Sequence, residues 1–273
     1  MPTDLTIHQY DVQPGLGRHL VLDSRSLAYR RPYTGDPIKP IEWAPRVPVL
    51  NQQTLLAQGI RTSELFDGVE DLDALGSCTA NAATVCLSVL RTAAECADAG
   101  LDVSDPAGAE QWAIGLYADA TTRDEWNDYT WPSQDCGSSG LGVTKALKAR
   151  GLIDQYGHAT TAEELCTLLQ TGPVLMGMPW HDAWFDPGTG PALLDDVTGW
   201  EQSPVVGGHE VCITALESVS TYDGRLGYEN TILRVQNSWS ASWGDAGTFR
   251  MSLALYQQLR DEIDLIQPRL DTR

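Results

Sequence analysis

Cys78, His209 and Asn237 are the residues of this chain whose types and spacing suit thiol chemistry. Cys78 stands in Gly76-Ser77-Cys78-Thr79-Ala80-Asn81-Ala82, a tight turn that delivers a cysteine to the start of an apolar helical pattern. The free N–H groups and partial positive charge of a helix N-terminus favour a thiolate, the nucleophilic form. His209 follows Gly207-Gly208, where a glycine-rich loop enters an apolar run. Near neutral pH an imidazole can hold a thiol ionised and later protonate a leaving group. Asn237 closes the next strand-like run, in Gln236-Asn237-Ser238-Trp239, and its side-chain carbonyl can orient the imidazole from the far nitrogen. Trp239 and Trp243 follow, and an indole over a His–Asn hydrogen bond would shield it from water and strengthen it. Singly, each residue has a structural explanation, since free cysteines are commonly buried and a lone histidine is usually a hydrogen-bonded structural residue. The set has a chemical logic that the members lack.

The elements that must hold these residues are helical first and strand-like afterwards. Residues 1–47 are mixed polar with scattered prolines and read as an extended N-terminal arm, too short for a folded inhibitory domain. A helix is predicted from Cys78 to about Ala97, with Ala82, Val85, Val89, Leu90 and Ala93 at helical spacing. Others are predicted at about 109–120, at 140–149 and from the capping box Thr161-Ala162-Glu163-Glu164 to Gly172. Strands are predicted at 173–178, 211–216, 231–236 and 247–251, and the tail 252–263 reads as a helix. This order predicts an α+β protein, with a helix-rich half at about 74–170, a β-rich half at about 171–273 and a ligand cleft between them.

At 273 residues the chain suits one large domain or two lobes. A net charge of −19 argues against nucleic acid and anionic membranes as partners and is compatible with a cationic substrate. No run approaches the ~18 apolar residues of a membrane span. The start Met1-Pro2-Thr3-Asp4 lacks a basic and then apolar leader, so a cytoplasmic location is expected. Six cysteines without a CxxC pair are expected to be reduced thiols, and no metal or cofactor is expected. Among lesser candidates, His181 reads as a surface-loop residue, Glu210 as a rim charge and Cys136 as an unreactive thiol. Loops 126–131 and 180–200, rich in aromatics, read as substrate walls or as packing between the halves.

The stretch Gly76–Ala82 resembles the nucleophile motif of bacterial papain-like cysteine peptidases. Gly207-Gly208-His209 before an apolar strand resembles their histidine motif, and Asn237-Ser238-Trp239 with Trp243-Gly244 resembles their most specific motif. Asp135–Gly151, a Gly-Ser-Ser-Gly turn with a following helix, is similar too, so the resemblance spans roughly residues 47–255. It implies the papain-like fold, with the active site in the cleft between a helical half and an antiparallel β half. It also implies a Cys78–His209 thiolate–imidazolium pair oriented by Asn237, with Gly208, Trp239 and Trp243 in support. His209 and Asn237 stand 131 and 159 residues after Cys78, near the ~130–150 of the lysosomal-type enzymes.

The resemblance further implies a glutamine upstream of the cysteine, whose amide joins the cysteine N–H in an oxyanion hole. The expected position holds Leu72, which cannot donate a hydrogen bond. Pro48-Val49-Leu50-Asn51-Gln52 has the sequence of that segment, but Gln52 lies 26 residues ahead of Cys78. An insertion at about 53–72 reconciles the two, since loop closure grows costlier only slowly with length. Gln52 is then the oxyanion donor, with Gln53 as the fallback, and the catalytic domain spans 48–273. The expected activity is hydrolysis of peptide or other amide or ester bonds through a Cys78 acyl-enzyme, with His209 as general acid and base. Acyl transfer to an amine and a catalytically idle papain-like binding protein are the alternatives, Leu72 being the argument for the second.

Overall fold

A computed structural model describes residues 16–19, 24–51, 75–124, 129–188 and 190–271. The helical half is built around α1 (Cys78–Leu90), in which every residue from Cys78 to Ser88 is buried. A helix that is apolar or small on all sides is one enclosed by other elements. It stops at Leu90 rather than near Ala97. Thr92 adopts an extended conformation and forms a reciprocal capping box with Glu95, which opens a separate short helix, α2 (Ala93–Asp98). The local capping bonds displace a continuous helix there. α3 (Pro106–Thr121) starts with Asp105 as N-cap and proline in its first turn. α4 (Gly140–Ala149) has the predicted bounds, with Ser139 accepting from the Gly142 N–H. No described helix is long and apolar enough to cross a membrane.

The other half is one antiparallel sheet. Its strands are β1 (Ile41–Glu42), β2 (Gln155–Ala159), β3 (Val174–His181), β4 (Val205–Tyr222), β5 (Arg225–Gln236), β6 (Thr248–Ser252) and β7 (Asp264–Arg269). The order is β2-β7-β3-β4-β5-β6, with β1 pairing to β4. α5 (Ala162–Leu169) and α6 (Leu253–Leu259) pack against it. The sheet also draws on residues before 170. β2 pairs with β7, and Ala159, Ala162, Leu165 and Leu168 pack in the sheet's own apolar cluster. The predicted tail helix is also cut short, because the chain leaves α6 at Leu259 and enters β7 at Asp264. Almost all of β7 is buried, so it lacks the alternation that marks a half-exposed strand.

A second apolar cluster joins α1 to α4, and Leu175 of β3 and Cys212 of β4 reach into it from the sheet. The two halves therefore meet where β3 and β4 face α1. The start of α1, the first part of β4 and the residue just past β5 lie at this seam, and these places carry Cys78, His209 and Asn237. The described part of the arm is fastened to the sheet, with Ile41 opposite Leu216 and Arg30 bridged to His158. Gln52, Gln53 and the segment 53–72 lie outside the described residues.

Candidate active site

The turn before Cys78 is held by a buried network. The Gly76 N–H donates to Asp135 Oδ2 at 2.9 Å, and the Tyr117 hydroxyl donates to Asp135 Oδ1 at 2.6 Å. Tyr117 in turn accepts from the Gly137 N–H at 2.8 Å. One carboxylate thus ties the nucleophile turn to the Gly137-Ser138-Ser139-Gly140 turn that opens α4. On the other side, Ser77 Oγ donates to Asn81 Oδ1 at 2.8 Å, and Asn81 Nδ2 donates to both Glu110 oxygens at 2.8 and 2.9 Å. Burial pushes the Glu110 carboxyl up to about 7, against the pull of hydrogen bonds from Asn81 and the Asn51 backbone.

His209 is fully buried, and its Nε2 donates to Asn237 Oδ1 at 2.7 Å. The Ser238 N–H donates to the same oxygen, also at 2.7 Å, which fixes it as the acceptor end of the amide. The other ring nitrogen, Nδ1, has no hydrogen-bond partner among the described residues. Trp239 stacks on the imidazole, with centroids 4.6 Å apart and 20° between the planes. Trp243 meets Trp239 edge-on and donates its Nε1–H to the Phe185 carbonyl. The sequence reading missed Trp180, whose ring meets His209 edge-on at 5.0 Å. It stands on β3, one strand over from His209, and only strand pairing could have shown that.

The arm enters this site. The Arg18 N–H donates to the Gly208 carbonyl, the Ser138 N–H to the Gly17 carbonyl and the His19 N–H to the Ser138 carbonyl. A Cβ on Gly17 would collide with the Gly76 carbonyl, so the arm lies against the nucleophile turn itself. Burial pushes the Cys78 thiol up to about 12, even though the backbone amides of Glu210, Gly17 and Thr79 favour its thiolate. Burial also lowers His209 to about 4, against the hydrogen bond that His209 donates to Asn237. Burial thus works against charge on both groups. The helix-start effect expected for Cys78 is outweighed by desolvation.

The lesser candidates fall differently from expectation. His181 is not in a surface loop: it ends β3, its ring nitrogen Nδ1 bonds the Ser203 carbonyl, and Trp184 and Trp200 pack against it. Trp184 and Trp200 are themselves core residues. Glu210 is no rim charge but 1% exposed. Strand alternation places it on the sheet face opposite His209. Cys136 is half-buried, and burial, followed by the Asp135 charge, pushes its thiol up to about 11. All six cysteines are free. Asn51, the last described residue before Gln52, is bonded through its N–H to Glu110, beneath the Cys78 turn. The Leu50 carbonyl next to it accepts from the Ser240 N–H, so the chain approaches Gln52 between the two halves.

The helices, the antiparallel sheet and the seam between them form the fold of the papain-like cysteine proteases. Xylellain, a cysteine protease from Xylella fastidiosa, matches over 98% of this chain and 100% of its own, with a TM-score of 0.63 at 15% identity. Bromelain from Ananas comosus, solved with the inhibitor E64, matches over 86% of this chain and 100% of its own, with a TM-score of 0.40 at 15% identity. A cysteine protease of Carica candamarcensis matches over 87% and 100%, with a TM-score of 0.42 at 13% identity. No protein-family model and no curated protein matches the sequence.

Proposed function

We propose that this chain is a thiol hydrolase of peptide bonds, with Cys78 as nucleophile, His209 as general base and acid, and Asn237 as the residue that orients the imidazole. The observation that carries this is the His209–Asn237 hydrogen bond roofed by Trp239. It leaves Nδ1 unpartnered, while the amide of the adjoining Glu210 favours the Cys78 thiolate. With Nε2 carrying its proton toward Asn237, Nδ1 is the lone pair that takes the proton from the Cys78 thiol. The sulfur then attacks the substrate carbonyl carbon, forming the S–C bond and an oxyanion. The Cys78 N–H and the Gln52 amide hold that oxyanion, and the anchoring of Asn51 by Glu110 supports Gln52 in this role. The C–N bond breaks as Nδ1 returns the proton to the leaving amine. Water, deprotonated by the same nitrogen, cleaves the thioester.

The arm must move aside before a substrate can reach the sulfur. The test is labelling with a peptidyl vinyl sulfone, read by mass spectrometry on wild type, Cys78→Ala and Gly17→Val. Cys78 is expected to label before the other five thiols, and faster in Gly17→Val, where the arm no longer fits. Labelling spread evenly over the cysteines would sink the assignment. Product analysis with and without added amine then separates hydrolysis from acyl transfer.

A further inference from the structure

Tyr117 of α3 is fully buried, yet its hydroxyl is a meeting point of hydrogen bonds. It donates to Asp135 Oδ1 at 2.6 Å and accepts from the Gly137 N–H at 2.8 Å and the Cys136 N–H at 3.2 Å. A phenol has one proton to give and an oxygen that accepts, so both of its roles are filled. The other Asp135 oxygen accepts from the Gly76 N–H at 2.9 Å, across 59 residues of chain. Two side chains therefore bind three segments together: α3, the turn before Cys78 and the turn 135–138.

The two turns have different parts to play. Gly76 leads into the proposed nucleophile, two residues on. Ser138, next to Gly137, offers both backbone groups to the chain lying in the seam. Its N–H donates to the Gly17 carbonyl at 2.8 Å, and its carbonyl accepts from the His19 N–H at 3.0 Å. The arm held there lies against the other turn, since a Cβ on Gly76 would come within 3.0 Å of both the Gly17 Cα and Asp135 Oδ1. A chain in the seam thus meets one turn through hydrogen bonds and the other through close packing, and Asp135 ties the two turns to each other. Burial pushes the Asp135 carboxyl up, against the pull of hydrogen bonds from Tyr117, Gly76 and Gly137 that favour the carboxylate. Charge-assisted bonds of this kind are the short and strong ones. Asparagine at 135 would keep one acceptor oxygen, so its NH2 group would face a second donor at either Gly76 or Tyr117.

We propose that Asp135 and Tyr117 are positioning residues that set the Cys78 turn at a fixed offset from the backbone groups of Ser138, so that a peptide held on Ser138 presents its carbonyl carbon to the sulfur. The proposal rests on the thiol-hydrolase reading and adds to it the link between docking and attack. Neither side chain takes part in the chemistry, and both act through the turns they hold. Misplacing reacting atoms by about 1 Å costs on the order of a hundredfold in rate, which is the size of effect such a link can have. Its loss should spare the thiol itself, because the amides that favour the Cys78 thiolate are those of Glu210, Gly17 and Thr79, in β4, the arm and α1.

The test uses the full chain in the Gly17→Val background, where the arm no longer fits. Labelling of Cys78 by a peptidyl vinyl sulfone, which needs a docked peptide, is compared with labelling by iodoacetamide, which needs only a reactive thiol. Asp135→Asn and Tyr117→Phe should each lower the limiting rate with the peptidyl reagent by about thirtyfold or more. The concentration giving half that rate, and the iodoacetamide rate, should both stay within about threefold of the parent, since docking and the thiol are spared. The double variant should lose no more than about threefold beyond either single one, because both changes open the same link. A fall of equal size with both reagents would mean that the pair only maintains the thiol or the fold, and would overturn the proposal. A peptidyl rate close to the parent's in both variants would overturn it as well. Continued protection of Cys86, Cys166 and Cys212, all fully buried, shows in the same mass spectra that a variant is folded. Where Asp135→Asn loses that protection, Tyr117→Phe, which removes one hydroxyl, decides alone. Failure of the peptidyl reagent to label Cys78 in the Gly17→Val parent would instead remove the hydrolase reading on which the proposal rests.

Discussion

At His209 the two ring nitrogens are set by opposite means. Nε2 is committed to Asn237, and Nδ1 is left with no partner among the described residues in a pocket walled by Trp239 and Trp180. Replacing His209 with alanine should lower kcat/KM by about 10²–10⁴, the range for a positioned general base. A change below about threefold would remove His209 from the chemistry. Gln52 is the second test at this scale. Gln52→Ala should lower kcat by about 10²–10³ with little effect on KM, as for loss of one oxyanion donor. Gln53→Ala should stay within about threefold of wild type, and the reverse ranking would move the donor role to Gln53.

Among the elements, α1 matters most because it carries Cys78 and rests on a buried acid. Glu110 of α3 takes both Asn81 hydrogens and the Asn51 N–H, so it joins the nucleophile helix to the segment leading to Gln52. Its carboxyl holds a proton up to about pH 7 in the folded protein, against 4.5 as its ordinary value. A raised folded-state value means stability that is full below the unfolded value and is lost as pH rises through 7. The loss from this group is on the order of 3 kcal/mol. Glu110→Gln should therefore flatten the fall in melting temperature between pH 5 and 8, and a slope as steep as wild type's would refute this. The capping box of α2 makes a smaller claim: Thr92→Ala should cost about 1 kcal/mol in a denaturant titration, without altering Cys78 labelling.

For the molecule as a whole, the arm is the element that lies across the site. Gly17 and Arg18 bridge the seam between the halves, and burial there pushes the Cys78 thiol up and the His209 imidazole down. Gly17→Val, which cannot lie against Gly76, should shift the onset of Cys78 labelling to lower pH by at least one unit. The direction follows from burial being the largest influence on both groups: admitting water favours the thiolate and the imidazolium together. An unchanged pH profile would mean that the arm does not control the protonation of the pair.

The places of Cys78 at a helix start, His209 near the start of a strand and Asn237 just past a strand end were legible in the sequence because each sits at a local signal: a turn before a helix, a glycine-rich entry to a strand and a strand end. α4 and the antiparallel run of β4, β5 and β6 were legible for the same reason, since caps and periodicity are local. Other features were decided only by tertiary structure. Glu210 read as a rim charge because one strand does not reveal which face is covered. β7 was hidden because a strand buried on both faces shows no alternation. Trp180 reaches His209 only through strand pairing. The sequence alone determined which groups are proposed for the chemistry. The folded chain decided which of them are dry, which are charged and what lies between Cys78 and its substrate, because burial and cross-strand contact belong to the whole packing and not to any local segment.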